Sequence, residues 1–231
     1  MTAGPTREAI DPSRFLSNPS TGRMGYALAA AAAARGAIVT LISGPTSLPP
    51  PSGVQVVRVT SADEMFRATL NQYAGVDLVL KSAAVADYRP EVKASGKIKK
   101  ETLRRRSKRN EAGDRTIDLR LVATPDILAE LGRRKTPGQV LVGFAAETDD
   151  LVQNATKKLE AKNLDLVVAN RIGRAMEGFA ADTNRALVID RHGRRTELPL
   201  MSKQRMAEVI MDMSEALLGS RGRRSAAGRS Q

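Results

Sequence analysis

Short apolar runs rich in β-branched residues alternate with segments of helical period along this chain, and that alternation restricts the fold more than any other feature. AIVTLI (37–42) follows Gly36, a residue suited to the position just after a helix, and reads as a buried strand. VQVVRV (54–59) is a second strand, set off by the Pro-rich loop 44–53. Ser61 and Glu64 have the spacing of a capping box ahead of a helix over 62–73, whose Met65, Phe66 and Leu70 share one face. DLVLK (77–81) is a third strand, ending in the loop SAAVADYRP (82–90). IDLRLV (117–122) alternates as an exposed antiparallel strand should. Thr124 as N-cap and Pro125 at the first helical position predict a helix to about residue 135. Then come a strand (140–144), a helix (149–162), a strand (164–169), a hairpin (186–197, turning at His192-Gly193) and an amphipathic helix (202–218). Strands and helices alternating at this spacing give an α/β fold, a Rossmann-like, mainly parallel sheet flanked by helices.

The first twenty-five residues, dense in Gly, Pro, Ser, Thr and Asn, run without a break into an Ala-rich helix over 26–34. A loop of this kind opening a helix can present backbone N–H groups and the positive end of the helix dipole to a phosphate. Gly22 and Gly25 would permit close approach at the turn. The same composition also suits an ordinary surface loop and cap, and the stretch alone leaves both readings open.

The formal net charge is +12, and its location matters more than its size. Residues 97–109 hold eight Lys or Arg and one Glu, and the tail 220–231 holds four Arg and no acid, so these two segments carry eleven of the twelve charges. The remaining chain is nearly neutral. Aromatic residues are 3% of the chain, which gives little for nucleic-acid bases to stack on. The tail (219–231) reads as a disordered basic end, and 97–122 as a basic hairpin arm or flap.

In open α/β sheets, ligands sit outside the carboxyl ends of the strands. That rule nominates Arg14, Asn18 and Ser20 in the first loop, residues 82–87 after the third strand, the helix start at Pro125, and the strand exit from Phe144 to Glu147. Lys158 and Lys162 lie four apart and share a helix face. Several chemistries are disfavoured. There is no Cys, and the one His, His192, falls in a hairpin turn, which argues against thiolate chemistry, zinc clusters and a Ser-His-Asp triad. GxSxG, GxGxxG and GxxxxGK[ST] are all absent. No apolar run reaches transmembrane length, and the N-terminus lacks the order of a secretory signal, so a cytoplasmic location is expected.

Six blocks, TAGPTREAIDPSRFLSNPSTGRMG, AAVADYRP, KIKK, TPDIL, GFAAET and KNLDLVVAN, occur in the order and rough spacing of bacterial phosphopantothenate–cysteine ligase. The chain from residue 2 to about 218 resembles that enzyme, the phosphopantothenoylcysteine synthetase domain of a bifunctional coenzyme A biosynthesis protein. The resemblance implies that the carboxylate of 4′-phosphopantothenate attacks the α-phosphate of CTP. An acyl-cytidylate and pyrophosphate result, and L-cysteine then displaces CMP to form an amide. It implies that Asp87 holds a divalent cation, Mg²⁺, against the triphosphate, and that Lys97 neutralises the reacting phosphates. It further implies CTP contacts from Ser20, Lys81, Ser82, Ala83, Pro125, Asp126, Ile127, Leu128, Lys158 and Lys162, with Phe144 packing at the nucleotide. Asn18, with Arg14, resembles the pair that handles the acyl-cytidylate, where an amide can donate to the acyl carbonyl. A homodimer is implied as well, with small-molecule substrates, no membrane and no specific nucleic acid.

Three departures from the family pattern shape expectation. Family members carry a longer strand before the first loop, so this loop is expected to be less firmly anchored. Arg23 stands where Lys is commoner, with a wider, planar head group. LRRRSKRNEAGDR (103–115) resembles an insertion in the arm, readable as a mobile lid or a solvated hairpin tip. No flavin-dependent decarboxylase half is expected of this chain. The competing reading is a basic nucleotide- or nucleic-acid-binding module without ligase activity, for which binding would depend steeply on salt.

Overall fold

The computed structural model describes residues 1–99, 118–171 and 182–227, with side chains placed as far as residue 219. Twelve strands and five helices are present among them: β1 (Thr2–Ala3), β2 (Arg7–Asp11), β3 (Arg14–Ser17), α1 (Arg23–Ala34), β4 (Val39–Ser43), β5 (Val54–Arg58), α2 (Ala62–Asn71), β6 (Leu78–Lys81), β7 (Tyr88–Pro90), β8 (Leu121–Ala123), α3 (Ile127–Arg134), β9 (Val140–Glu147), α4 (Leu151–Ala161), β10 (Leu166–Arg171), β11 (Thr183–Asp190), β12 (Arg195–Ser202) and α5 (Lys203–Ala227). Eight strands form one sheet in the order β12-β11-β10-β9-β6-β1-β4-β5. The six from β10 to β5 are parallel, and the β11–β12 hairpin adds antiparallel strands at one side. The Rossmann-like α/β expectation holds.

Alternate residues of each central strand serve opposite layers. Val140 and Val142 pack with α1 and α5, whereas Leu141 packs with α2, α3 and α4. In β10, Leu166 and Val168 face the first layer and Val167 and Ala169 the second. Burial on both faces is why these strands read as continuous apolar runs. α1 meets the sheet through alanines, Ala29 and Ala32 being fully buried, so the helix can sit close. Glycine at position 25 brings it closer still: a Cβ there would stand 2.4 Å from the Ala3 Cβ and 2.7 Å from the Ser82 Oγ.

β1 is only two residues long, yet it lies inside the sheet, Thr2 paired with both Ile42 and Lys81. The expected slackness of the following loop is not seen. The Gly44 N–H donates to the Ala3 carbonyl at 2.9 Å, the Ala84 N–H to the Gly4 carbonyl at 2.9 Å, and the Ala86 N–H to the Thr6 hydroxyl at 3.0 Å. An isolated bridge, Pro5 to Ala84, prolongs the parallel pairing beyond the strand.

Several local expectations need correction. The first twenty-five residues are not all loop, because β2 and β3 form an antiparallel hairpin within them. Its turn is set by Asp11, whose carboxylate accepts from the Ser13 and Arg14 N–H groups at 2.8 and 2.9 Å. Helix α1 begins at Arg23 rather than 26. The N-cap of α3 is Asp126, not Thr124, because its Oδ1 accepts from the Ala129 N–H at 2.9 Å. The Thr124 hydroxyl is spent elsewhere, donating to the Ala86 carbonyl at 2.6 Å. At α2 the capping box forms, with Ser61 accepting from Glu64 N–H; the Glu64 carboxylate takes the Thr60 N–H, one residue further out than the motif prescribes. The alternating strand read at 117–122 is β8, at Leu121–Ala123, and it pairs with β7 to form the base of the arm. Most of that arm, with the insertion 103–115, lies outside the described residues. The last helix continues to Ala227, past the end read at 218.

Candidate active site

Sheet order reverses at β1. β4 and β5 follow it on one side, whereas β6, β9 and β10 lie on the other. The loops leaving β1 and β6 therefore diverge to opposite layers, and a crevice opens between them at the carboxyl edge. A cavity of about 400 Å³ occupies that place. Antiparallel β11 contributes its beginning to the same edge, and β12, which runs with the parallel strands, contributes its end.

Most residues nominated from the sequence meet there. Asn18, Ser20, Lys81, Ser82, Ala83, Asp87, Phe144 and Lys158 all line the cavity. The first turn of α1 faces it with Gly22, Arg23, Met24 and Gly25. Gly22 is the N-cap at φ +81°, a left-handed conformation that glycine adopts without strain, and it supplies no side chain to cap the turn. Its own N–H donates to the Ser20 hydroxyl at 3.3 Å.

Asn18 is committed to the scaffold. Its Nδ2 donates to the Ala84 and Val85 carbonyls at 3.2 and 3.1 Å, joining the first loop to the β6 exit. Two carbonyl neighbours oblige the amide to present its nitrogen, so both donor hydrogens are in use and its oxygen is the remaining polar atom. The Ser82 hydroxyl donates to the Thr2 carbonyl at 2.8 Å, tying the same exit to β1.

Cations dominate the lining. Lys81 ends β6 with its Nζ donating to the Ala83 carbonyl at 3.2 Å. Burial and the charge of Lys158 lower its proton affinity to a pKa of about 8, against the opposing pull of Asp126 and Asp87. Burial likewise lowers Lys158, while Glu147, Asp126 and Asp87 act the other way. Lys203, on the opposite layer, is lowered by burial and by Arg23. Against these three lysines the lining offers, among the described residues, one carboxylate, Asp87, which is exposed.

Other nominated residues are placed differently. Lys162 does not line the cavity; its Nζ pairs with Asp126 at 2.6 Å. Burial would raise the Asp126 pKa, but that ion pair and the Ala129 N–H outweigh it and hold the carboxyl low. The Ile127 and Leu128 side chains are core, so only their backbone is available to a ligand. Pro125 precedes them at the turn and is half-buried. Arg14 sits in the hairpin, 2.5 Å from Asp11 and 2.7 Å from the Ile98 carbonyl. Its hydrogen bond to Asp11 pulls that carboxyl far below the usual carboxylate range. The Ile98 N–H also donates to Asp11, at 3.1 Å, so Asp11 and Arg14 fix the start of the arm. Lys97, one residue earlier, is exposed and outside the cavity lining.

Sequence reasoning missed Asn170, Asn184 and Lys203, all in the lining. Asn170 was reachable by the carboxyl-end rule, since it lies near the end of β10. Asn184 and Lys203 were not, because their arrival at this edge depends on the antiparallel hairpin being folded onto β10. Among the described residues no group of three or more His, Cys, Asp or Glu could hold a metal ion, and no helix is long and apolar enough to cross a membrane.

Comparison with known proteins adds an independent line. The profile described as DNA/pantothenate metabolism flavoprotein C-terminal domain matches residues 1–217. The coenzyme A biosynthesis bifunctional protein CoaBC of Bacillus subtilis (strain 168) is 48% identical over 226 residues, covering 97% of this chain and 52% of that protein. The chain thus spans about half the length of the curated relatives it matches. A crystal structure of the C-terminal domain of a CoaBC protein superposes with a TM-score of 0.76 at 42% identity, covering 95% of this chain and 94% of that one. A Cab2 mutant, H337A, solved in complex with phosphopantothenate-cysteine, shares the fold with a TM-score of 0.74 at 17% identity, over 97% of this chain and 87% of that one.

Proposed function

The chain belongs to the family of DNA/pantothenate metabolism flavoprotein C-terminal domains, and from that membership we propose that it ligates 4′-phosphopantothenate to L-cysteine at the expense of CTP. The product is 4′-phosphopantothenoylcysteine, on the route to coenzyme A. One observation carries the reading: the crevice at the β1/β6 reversal gathers Lys81, Lys158 and Lys203 around about 400 Å³ with one exposed carboxylate among the described residues of its lining. A cavity of that size and charge suits a small polyanion better than an extended nucleic acid, whose phosphates would need a spread basic surface.

In the first step a carboxylate oxygen of phosphopantothenate bonds to the α-phosphorus of CTP, and the bond to the bridging oxygen breaks, releasing pyrophosphate. In the second, the cysteine amine bonds to the acyl carbon, CMP departs, and the amine gives up a proton. Lys158 and Lys81 meet the negative charge of the nucleotide, with the first turn of α1 offering N–H donors nearby. Phe144 supplies apolar surface for the base. Asn18 holds the first loop against the β6 exit, so the acyl group meets a fixed wall. Lys97, beside the anchored Ile98, reaches the phosphates from the arm. Lys162 and the start of α3 form the outer edge of the nucleotide site, with Lys162 exchanging Asp126 for phosphate.

Among the described residues of the lining, Asp87 is the one carboxylate available to a divalent ion. That donor set fits Mg²⁺, which keeps several waters and takes other ligands from substrate phosphates. Bound there, the ion would supply charge neutralisation of the triphosphate. A cytoplasmic homodimer completes the proposal.

The test is CMP release, measured with CTP and with ATP, for wild type, Lys97→Gln and Asn18→Asp. Release should need CTP, Mg²⁺, phosphopantothenate and cysteine together. Lys97→Gln should block acyl-cytidylate formation. Asn18→Asp replaces two donors with acceptors facing two carbonyls, and should let the intermediate accumulate. Release that ignores either acid or amine would refute the ligase reading, and steeply salt-dependent RNA or DNA binding in its place would favour the binding module.

A further inference from the structure

Asp11 is engaged beyond what the hairpin turn around it requires. Turning β2 into β3 uses the Ser13 and Arg14 N–H groups, both accepted by its Oδ1. A neutral Asn or Ser could accept as much. The second oxygen has a different set of partners. Oδ2 accepts from the Arg14 Nε at 3.0 Å and Nη2 at 2.5 Å, and from the Ile98 N–H at 3.1 Å, 87 residues further along the chain. The Arg14 Nη2 donates onward to the Ile98 carbonyl at 2.7 Å. One ion pair, its carboxylate fully buried, thus holds both backbone polar groups of Ile98. Buried ion pairs are weak stabilisers, and their better-attested use is to fix one arrangement against others. A second stitch lies four residues earlier, where the Ala94 N–H donates to the Ile10 carbonyl at 2.9 Å. Residues 95–97 therefore bridge two fixed points, and Lys97 is the last of them. Its side chain is exposed, and no hydrogen bond or ion pair joins it to another described residue, so the backbone on either side places it. The hairpin itself is tied to the cleft, through Asn18 to the β6 exit and through the Arg7 N–H to the Thr60 carbonyl at 2.8 Å. It joins the cleft wall to the root of the arm.

We propose that Asp11 is a positioning residue: by clamping Ile98 it sets where the Lys97 ammonium stands relative to the nucleotide. This rests on the ligase reading and on the place given there to Lys97. Asp11 lies outside the cleft lining, so it acts through Lys97 and not on the substrate. As the phosphopantothenate carboxylate bonds to the α-phosphorus and the bridging oxygen departs with the electron pair, charge builds on the phosphate oxygens. A cation lowers that barrier only if it is already in place. Lysine carries its charge on a flexible four-carbon stem, so a wandering backbone would add directly to the range its ammonium samples. Misplacement of a reacting group by about 1 Å can cost on the order of 10²-fold in rate. The clamp removes that freedom at the one residue next to Lys97.

Two measurements on wild type and Asp11→Asn test the assignment. The variant keeps an oxygen for the Ser13 and Arg14 N–H groups but turns N–H donors toward Arg14 and Ile98, which opens the clamp. The first measurement is lysine acylation by an amine-reactive ester, mapped by mass spectrometry with and without CTP and Mg²⁺. In wild type the nucleotide should shield both Lys97 and Lys158. In Asp11→Asn the shielding of Lys97 should be lost and that of Lys158 kept, a split that general loosening of the fold would not produce. The second is single-turnover formation of acyl-cytidylate from CTP and 4′-phosphopantothenate, without cysteine. Asp11→Asn should slow it by about 10- to 10²-fold, with half-saturation by CTP little changed. Lys97 shielded as in wild type in a folded Asp11→Asn protein overturns the proposal, as does loss of shielding at both lysines. A defect confined to the attack of cysteine on preformed acyl-cytidylate also overturns it, since Asp11 would then act through Arg14. Should Asp11→Asn fail to fold, Ile98→Pro removes the clamped N–H without touching the hairpin turn, and an unchanged rate there overturns the proposal equally. A wild type in which CTP shields Lys97 but no acyl-cytidylate forms overturns the ligase reading instead.

Discussion

The two edges of the sheet hold the same kinds of charged residue in opposite states. At the amino edge Asp165 is fully buried just before β10, and it is completely answered. Its Oδ2 accepts from the Leu141 N–H at 2.8 Å and lies 2.7 Å from the Lys135 ammonium, while Arg191 stands 3.5 Å from its other oxygen. At the carboxyl edge Lys81 and Lys158 line one cavity in which Asp87, exposed, is the one carboxylate among the described residues. Charge at the first edge is closed on itself and holds α3, β9, β10 and the β11–β12 turn in register. Charge at the second is less closely matched: Asp87, Asp126 and Glu147 act on Lys81 and Lys158 without a direct ion pair. A buried cation therefore marks a candidate site where it faces a cavity and makes no direct ion pair.

That contrast can be broken in several ways. The largest effect belongs to the amino edge. Asp165→Ala takes the carboxylate from Lys135 and the acceptor from the Leu141 N–H, and should cost about 3–5 kcal/mol in urea unfolding. Turnover of the protein that remains folded should be unchanged. Next comes Lys158→Gln, which should lower CTP turnover by about 10²–10³-fold, the usual loss on removing one charge-stabilising group. Asn18→Ala frees two carbonyls at the β6 exit and should cost about 1–2 kcal/mol, again by urea unfolding.

The smallest effect is in pH dependence. Burial and Lys158 hold the Lys81 pKa at about 8, below its ordinary 10.5. Between those values the unfolded chain keeps a proton that the folded chain has lost, so stability without ligand should rise with pH through this window. An anionic substrate favours the protonated lysine, so CTP affinity should fall as pH climbs past about 8, the pKa of Lys81. Lys81→Arg, always charged, should flatten both trends when melts and titrations are compared across that range.

Much of the site was legible because the parallel strands announce where they end. Ser82, Ala83, Asp87 and Phe144 follow apolar runs, and the carboxyl-end rule nominates them at the edge where they line the cavity; Lys81 was implied by the family resemblance. The β2–β3 hairpin was harder. Its strands are five and four residues long, and Glu8 and Asp11 are buried polar groups, so no apolar period marks them. The DPS turn (11–13) was the available signal. Thr124 and Asp126 are both good N-cap residues two positions apart, and only the tertiary contact of Thr124 with Ala86 decides between them. Lys203 was hidden for another reason, since its path to the cleft passes through a hairpin whose direction is settled by sheet pairing.

The most direct test of the central claim, that the carboxyl-edge lysines are kept in excess for the substrate, is the melting temperature of Lys158→Gln with and without CTP and Mg²⁺. The unliganded variant should melt near the wild-type temperature, since a half-buried cation disfavoured by its burial and making no direct ion pair has been removed, and the rise produced by CTP should be largely lost. A fall without ligand like that of Asp165→Ala, with the CTP-induced rise intact, would contradict the claim: Lys158 would then be structural, and the two edges would not differ.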